Sequence, residues 1–251
     1  MLISRKISGN IKGKGLNMRF QISELVITPE NESTAKRIIE LTQPHNKPEM
    51  LYLTGPAECG KSTFMETRGT EKDLLSTKSA MYCHASEILA MLSIDNENAD
   101  NFLNKVGDVA VLFIDDVDDF LKNDAVGSKV CQLLIDNRVK QGLDTVVSSR
   151  NSFSELDSRL QSVFASFEEI VMPELSVDGA VALSKSYANH FARVKGAENV
   201  NTLSEEVFSY LGKKYHHSLK EMAPAMEYLV TVAELPNAKI ETPEQVDICL
   251  G

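Results

Sequence analysis

Short apolar runs, each about one strand long, recur through the first two thirds of the chain and are separated by polar or glycine-bearing segments. They fall at residues 51–54, 78–83, 109–114, 145–147 and 170–172. Between them the apolar residues change to helical spacing. Asn31 opens one such stretch, with Ala35, Ile38, Ile39 and Leu41 on one face. Helices are also predicted from about 61 to 67 and from about 126 to 140, where Gly142 stops the pattern, and through 156–160. Ser86 reads as the cap of a helix carrying Ile88, Leu89, Met91 and Leu92. Residues 44–48 and 96–101 read as loops. The run 109–114 has no polar break, the pattern of a strand covered on both faces. Alternation of this kind predicts an α/β fold with a mainly parallel sheet.

From Ser176 onward the strand patterns stop. Residues 177–193, 203–213, 218–234 and 243–250 have amphipathic helical spacing, punctuated by Gly196 and Pro236. They predict a small all-helical lid domain, marginal alone but able to lean on the first. The expected division is a basic arm at 1–19, an α/β nucleotide-binding domain at 20–174 and the lid at 175–251.

Charge sharpens the picture at one end. The chain of 251 residues carries −10 overall, which argues against a broadly nucleic-acid-binding surface. Residues 1–19 nevertheless hold Arg5, Lys6, Lys12, Lys14 and Arg19 and no acid. That arm reads as flexible, with Met18 as an alternative start and DNA contact as its functional alternative. The four cysteines are scattered without a C-x-x-C pair, as expected of reduced thiols in a cytoplasmic protein. No apolar run is long enough for a membrane span, and no secretory signal is evident. His216-His217 is the one histidine pair and reads as a solvated helix start.

The chemistry begins where the first strand ends. Gly55-Pro56-Ala57-Glu58-Cys59-Gly60-Lys61-Ser62, followed by Thr63, has the spacing G-x-x-x-x-G-K-S between a strand and a helix. The glycines permit a tight turn whose N–H groups point inward at a helix N-terminus and can cradle phosphate. Lys61 is then placed to reach the outer phosphates and Ser62 to ligate Mg²⁺. The prediction is that ATP or ADP binds here.

About sixty residues later the buried run ends in Asp115-Asp116. An acid at a neighbouring strand end can hold the Mg²⁺ shell, and the next can polarise an attacking water. Asp115 takes the first role and Asp116 the second. Ser148-Ser149-Arg150-Asn151 close the next strand and could sense the γ-phosphate or merely cap the following helix.

An α/β nucleotide domain followed by a helical lid resembles the AAA+ ATPases. Within them the sequence is similar to the family of the bacterial replication initiator DnaA and its short relative Hda. Phe20, Asn31, the stretches 51–55, 112–116 and 156–160, and Leu219-Lys220-Glu221-Met222 carry the likeness, which spans about residues 20–250. The resemblance implies that Ser149 is sensor I, with Ser148 as its neighbour and substitute. It implies that Arg159 is an arginine finger reaching a neighbouring subunit's nucleotide, that Lys220 is the sensor II cation, and that residues 25–28 wall the adenine pocket. In a second register the finger position falls on Val163 and no finger remains.

The departures are specific. Lysine stands where the family has a sensor II arginine, so a planar fork becomes a point charge. The usual sensor I aspartate is not evident. The chain ends after the fourth lid helix, so no helix-turn-helix DNA-binding domain is expected. Residues 21–25 match a sliding-clamp peptide poorly, so clamp binding is not expected. The resemblance therefore implies an ATP-binding protein of replication initiation or its control. It would hydrolyse ATP slowly in a homo-oligomer and work with a DnaA-like initiator or another replication protein. The alternative is a non-hydrolysing adaptor or helicase-loader-type protein.

Overall fold

The computed structural model describes residues 20–41, 47–70, 79–92, 101, 104–122, 124–196, 203–235 and 238–251. The basic arm at 1–19, Pro236 and most of the two predicted loops lie outside the described residues. Strands β1 (Met50–Thr54), β2 (Ala80–His84), β3 (Val111–Asp115), β4 (Asp144–Ser148) and β5 (Glu168–Val171) form one sheet in the order β2-β3-β4-β1-β5. Every pairing is parallel, so the expected mainly parallel sheet is wholly so.

The unbroken apolar run sits where it must, in β3 at the interior of the sheet. Its side chains still alternate. Leu112 and Ile114 join Tyr52 and Val147 in a core covered by Ile88, Leu134, Ile135 and Leu160. Val111 and Phe113 join Leu51, Leu53 and Val146 on the opposite face, under Ile38, Phe64 and Met65. The covering helices are α1 (Glu32–Glu40), α2 (Lys61–Thr70), α3 (Ala85–Leu92), α4 (Asp119–Lys122), α5 (Asp124–Gln141) and α6 (Ser158–Val163). Burial on both faces is what lets a strand dispense with polar residues. β5 is an edge strand and has the exposed Glu168 and Glu169 that the interior strands lack.

Two local expectations are corrected. α3 begins at Ala85, so Ser86 lies inside its first turn; Glu87 instead accepts the His84 N–H at 2.9 Å. The segment at 156–160 is only partly helical. Leu156 follows a 3₁₀ turn (Phe153–Glu155), and Asp157 caps α6 by accepting the Arg159 N–H at 2.9 Å.

Arg138 ties the back of the sheet together from α5. It is fully buried, and its guanidinium donates to the carbonyls of Val106, Gly107, Val109 and Asp144 and to the Thr145 hydroxyl. Burial pulls its pKa down to about 10, still a cation at neutral pH.

The helical lid comprises α7 (Val177–Lys195), α8 (Glu205–Tyr215), α9 (Leu219–Ala233) and α10 (Pro243–Leu250). Its boundaries follow from local chemistry. Ser176, Ser204 and Thr242 cap three of the N-termini, and Gly196 ends α7 in the left-handed conformation, φ 66°. The lid is not free of strand pairing, because Leu203 and Ile240 form an isolated parallel bridge. Phe191, Leu211, Met226 and Leu229 centre its own core. A second cluster, Leu175, Ala180, Leu219 and Met222, adjoins the strand-helix portion. His216 and His217 lie in the turn between α8 and α9, not at a helix start, and His217 Nδ1 is 3.1 Å from the Glu174 carboxylate. No helix among the described residues is long and apolar enough to cross a membrane.

Candidate functional site

The loop after β1 turns back on itself at the carboxyl end of the sheet. Gly55 has φ 145°, and a Cβ there would lie 2.1 Å from the Met172 carbonyl oxygen, so no other residue fits. Glu58 holds φ 64°, a conformation that costs a non-glycine residue about 1–2 kcal/mol. The loop then enters α2, whose first residues Lys61, Ser62 and Thr63 carry N–H groups that no helical carbonyl takes. Lys61 is nearly buried and donates to the loop's own carbonyls, Gly55 at 2.7 Å and Pro56 at 2.8 Å. Cys59 Sγ lies 3.6 Å from its ammonium, and burial raises the thiol's pKa.

Asp115 ends β3 fully buried. Its carboxylate accepts hydrogen bonds from the Tyr82 hydroxyl at 2.8 Å and from the Ser148 hydroxyl. Burial and the adjacent Asp115 charge push the Tyr82 pKa upward, so it stays a donor. Asp116 adopts φ 52°, and its N–H donates to Ser148 Oγ at 3.0 Å. Ser148 therefore bridges the two aspartates. A non-glycine residue held in this region beside a cleft is the kind of strain that functional sites store.

The two loops at the ends of β3 and β4 are laced together further. Asp118 accepts the Ser149 hydroxyl at 2.9 Å, the Arg150 N–H at 3.2 Å and the Asn151 amide at 2.9 Å. β1 adds to this: the Asn151 carbonyl accepts from Tyr52 at 2.9 Å and from Thr54 at 3.1 Å.

The lid closes the other side. Leu183 and Tyr187 of α7 and Lys220, Ala223 and Pro224 of α9 face Leu25, Val26 and Asn31 across a cavity of about 510 Å³, within the usual range of ligand sites. Glu58, Lys61, Ser62 and Thr63 line it from the loop and the start of α2, and Asp116 and Arg150 from the loops after β3 and β4. Glu24, which also lines it, binds the lid through Arg193 at 2.7 Å and His190 at 3.1 Å.

Of the predicted residues, Ala57, Glu58, Cys59, Gly60, Lys61, Ser62, Thr63, Asp116 and Lys220 line this one cavity. Gly55 and Pro56 shape the loop beneath it, and Asp115 is held next to Asp116 by Ser148. Ser149 is fully buried and absent from the lining, and its hydroxyl serves Asp118. Arg159 also lies off the cavity, on the exposed start of α6, where its Nε donates to Asp157 at 2.9 Å. Leu25 and Val26 reach the cavity, whereas Ile27 is exposed. Tyr82 and Asp118 have no role in the sequence reading, and Arg150 enters it only as one of the four residues 148–151 that could sense the γ-phosphate or cap a helix. For Asp118 the acidic run Asp115-Asp116-Val117-Asp118-Asp119 was the available hint, and it does not say which acid faces which loop.

The family profile of the bacterial DnaA ATPase domain matches residues 16–168. No curated protein matches the chain. Among solved structures, domain III of the Thermotoga maritima replication initiation protein DnaA superposes with a TM-score of 0.72 at 18% identity, covering 94% of this chain and 97% of that one. AMPPCP-bound DnaA from Aquifex aeolicus gives 0.68 at 17% identity, covering 86% of this chain. This chain spans 66% of that relative's length. A DnaA bound to AMPPCP and single-stranded DNA gives 0.65 at 17% identity, with 88% and 67% covered. These likenesses carry the same α/β sheet and helical lid, and the profile covers more than half of the sequence. The chain belongs to the bacterial DnaA ATPase domain family.

Proposed function

We propose that this protein binds ATP or ADP in the cavity between sheet and lid and acts in the initiation of DNA replication or its control. One observation carries the reading: loop residues 57–62, Asp116 and lid residue Lys220, far apart in sequence, face one cavity of nucleotide size. The residues present suit a polyphosphate with Mg²⁺. Lys61 and the N-terminus of α2 supply positive charge and N–H donors, and Ser62 and Asp115 supply oxygen ligands of the kind Mg²⁺ takes. Bound Mg²⁺ would neutralise charge on the phosphate oxygens. On this reading Lys61 exchanges its carbonyl partners for phosphate, Asp116 accepts a proton from the attacking water, and Lys220 closes the lid over the outer phosphates. Ser149 acts as the sensor I residue by holding its loop. Arg159, exposed on α6, reaches a neighbouring copy's nucleotide, so turnover needs a homo-oligomer. The partner is a DnaA-like initiator or another replication protein.

A second reading, a non-hydrolysing adaptor or helicase-loader-type protein, is favoured by the Arg150 guanidinium 3.8 Å from Asp116, an ion pair that stands beside the carboxylate on which an attacking water would have to dock. Phosphate release from ATP, measured across protein concentrations, separates the two. Turnover that rises faster than linearly and is lost in Arg159→Ala, Asp116→Asn and Lys61→Ala supports the self-assembling ATPase. Nucleotide bound at every concentration without phosphate release leaves the adaptor.

A further inference from the structure

Three cationic side chains face the cavity: Lys61, Lys220 and Arg150. Lys61 already donates to the Gly55 and Pro56 carbonyls, and Lys220 stands on the lid; Arg150 stands on the sheet side, on a root fixed at several points. Its N–H is held by Asp118, and the same carboxylate holds the residues on either side of it. Ser149 N–H donates to the Leu53 carbonyl at 3.0 Å, and the Asn151 carbonyl is fastened to β1. The guanidinium itself stands with its Nε 3.8 Å from Asp116 Oδ1, beyond hydrogen-bonding distance, and its side chain is 69% exposed. That is the one ion pair it makes among the described residues.

Resting on the nucleotide-binding reading above, we infer that Arg150 is a phosphate-discriminating residue, a cation supplied by the same chain to the terminal phosphate of a nucleoside triphosphate, and that Asp118 is its positioning residue. The chemistry is direct. Asp116 and Glu58 bring negative charge to the same cavity that Arg150 lines. A triphosphate adds further charge there, so a forked cation between Asp116 and the phosphate offsets both. A diphosphate ends before that position and gains little from it. Moving from Asp116 to phosphate would also free the Asp116 carboxylate, tying its availability to a triphosphate.

Calorimetric titration of the purified chain with AMPPCP and, separately, with ADP, each with Mg²⁺, tests this. Charge-assisted hydrogen bonds of this kind predict that Arg150→Ala weakens AMPPCP about tenfold or more and ADP less than about threefold. Arg150→Lys should restore part of the AMPPCP affinity. Asp118→Ala should lower the ratio of the two affinities in the same direction while leaving ADP bound, which loss of folding would not do. Equal weakening of both nucleotides by Arg150→Ala, or none, overturns the inference alone and leaves nucleotide binding standing. A wild-type chain that binds neither nucleotide overturns both.

Discussion

The carboxylate of Glu58 in the phosphate-type loop accepts the N–H of Lys220, the second residue of lid helix α9, at 3.0 Å across 162 residues of sequence. Ser218, the residue preceding α9, makes no capping bond with its own side chain. Glu58 thus stands in for a helix cap, and the loop that would hold phosphate also holds the lid. Glu58→Ala should remove a cap worth about 0.5–2 kcal/mol. The expected outcome is faster amide hydrogen exchange at Lys220 with the exchange of β3 unchanged. Equal protection of Lys220 in both proteins would show that the contact does not hold the lid.

Glu24 makes the second tie between the two portions. Burial raises its carboxyl, but the Arg193 guanidinium, the Gln21 N–H and His190 outweigh burial and lower it from 4.5 to about 2. A carboxylate whose folded value is depressed stabilises the fold above its unfolded pKa and loses that contribution as pH falls through the folded one. Urea midpoints should therefore fall between pH 4.5 and about 2, more steeply in the wild type than in Glu24→Gln. Parallel slopes would refute the assignment.

Arg138 is the costliest polar residue of the sheet layer. Arg138→Met fills much of the volume but abandons four carbonyls, three buried and one partly so, and a loss of about 3 kcal/mol or more is expected in chemical denaturation. A loss below about 1 kcal/mol would mean that water or rearrangement satisfies those carbonyls.

Gly212 of α8 is where two lid helices touch. A Cβ there would lie 2.4 Å from Val181 Cγ2 and 2.7 Å from the Val181 backbone nitrogen. Gly212→Ala should cost about 1–3 kcal/mol by forcing α7 and α8 apart, read as a lowered thermal midpoint. The double variant with Val181→Ala should recover little, because the backbone contact remains.

Much of the architecture was legible along the chain because it follows from local period and local chemistry. The run ending in Asp115 needed cover on both faces, which only an interior strand of a helix-covered sheet provides. The spacing from Gly55 to Ser62 dictated a turn into a helix, and the lid helices announced themselves through Ser176, Ser204, Gly196 and Thr242. Small boundary signals were weaker. Ser86 resembled a cap, but Glu87 reached back first, and the helix of Arg159 began only after Asp157.

What tertiary structure alone decided was which polar groups meet. Ser148 and Ser149 are adjacent and chemically alike, yet one bridges Asp115 and Asp116 while the other serves Asp118. Successive residues at a strand end point to opposite sides, and sequence cannot tell which side holds the acids. Arg150 was separated from its neighbours at 148–151 only by the loops after β3 and β4, which lock its backbone while Arg150 lines the cavity. Spacing along the chain determined that a phosphate-type loop and a lid exist. Distances across it, from Glu58 to Lys220 and from Arg150 to Asp116, depend on strand order and helix docking, which no local pattern encodes.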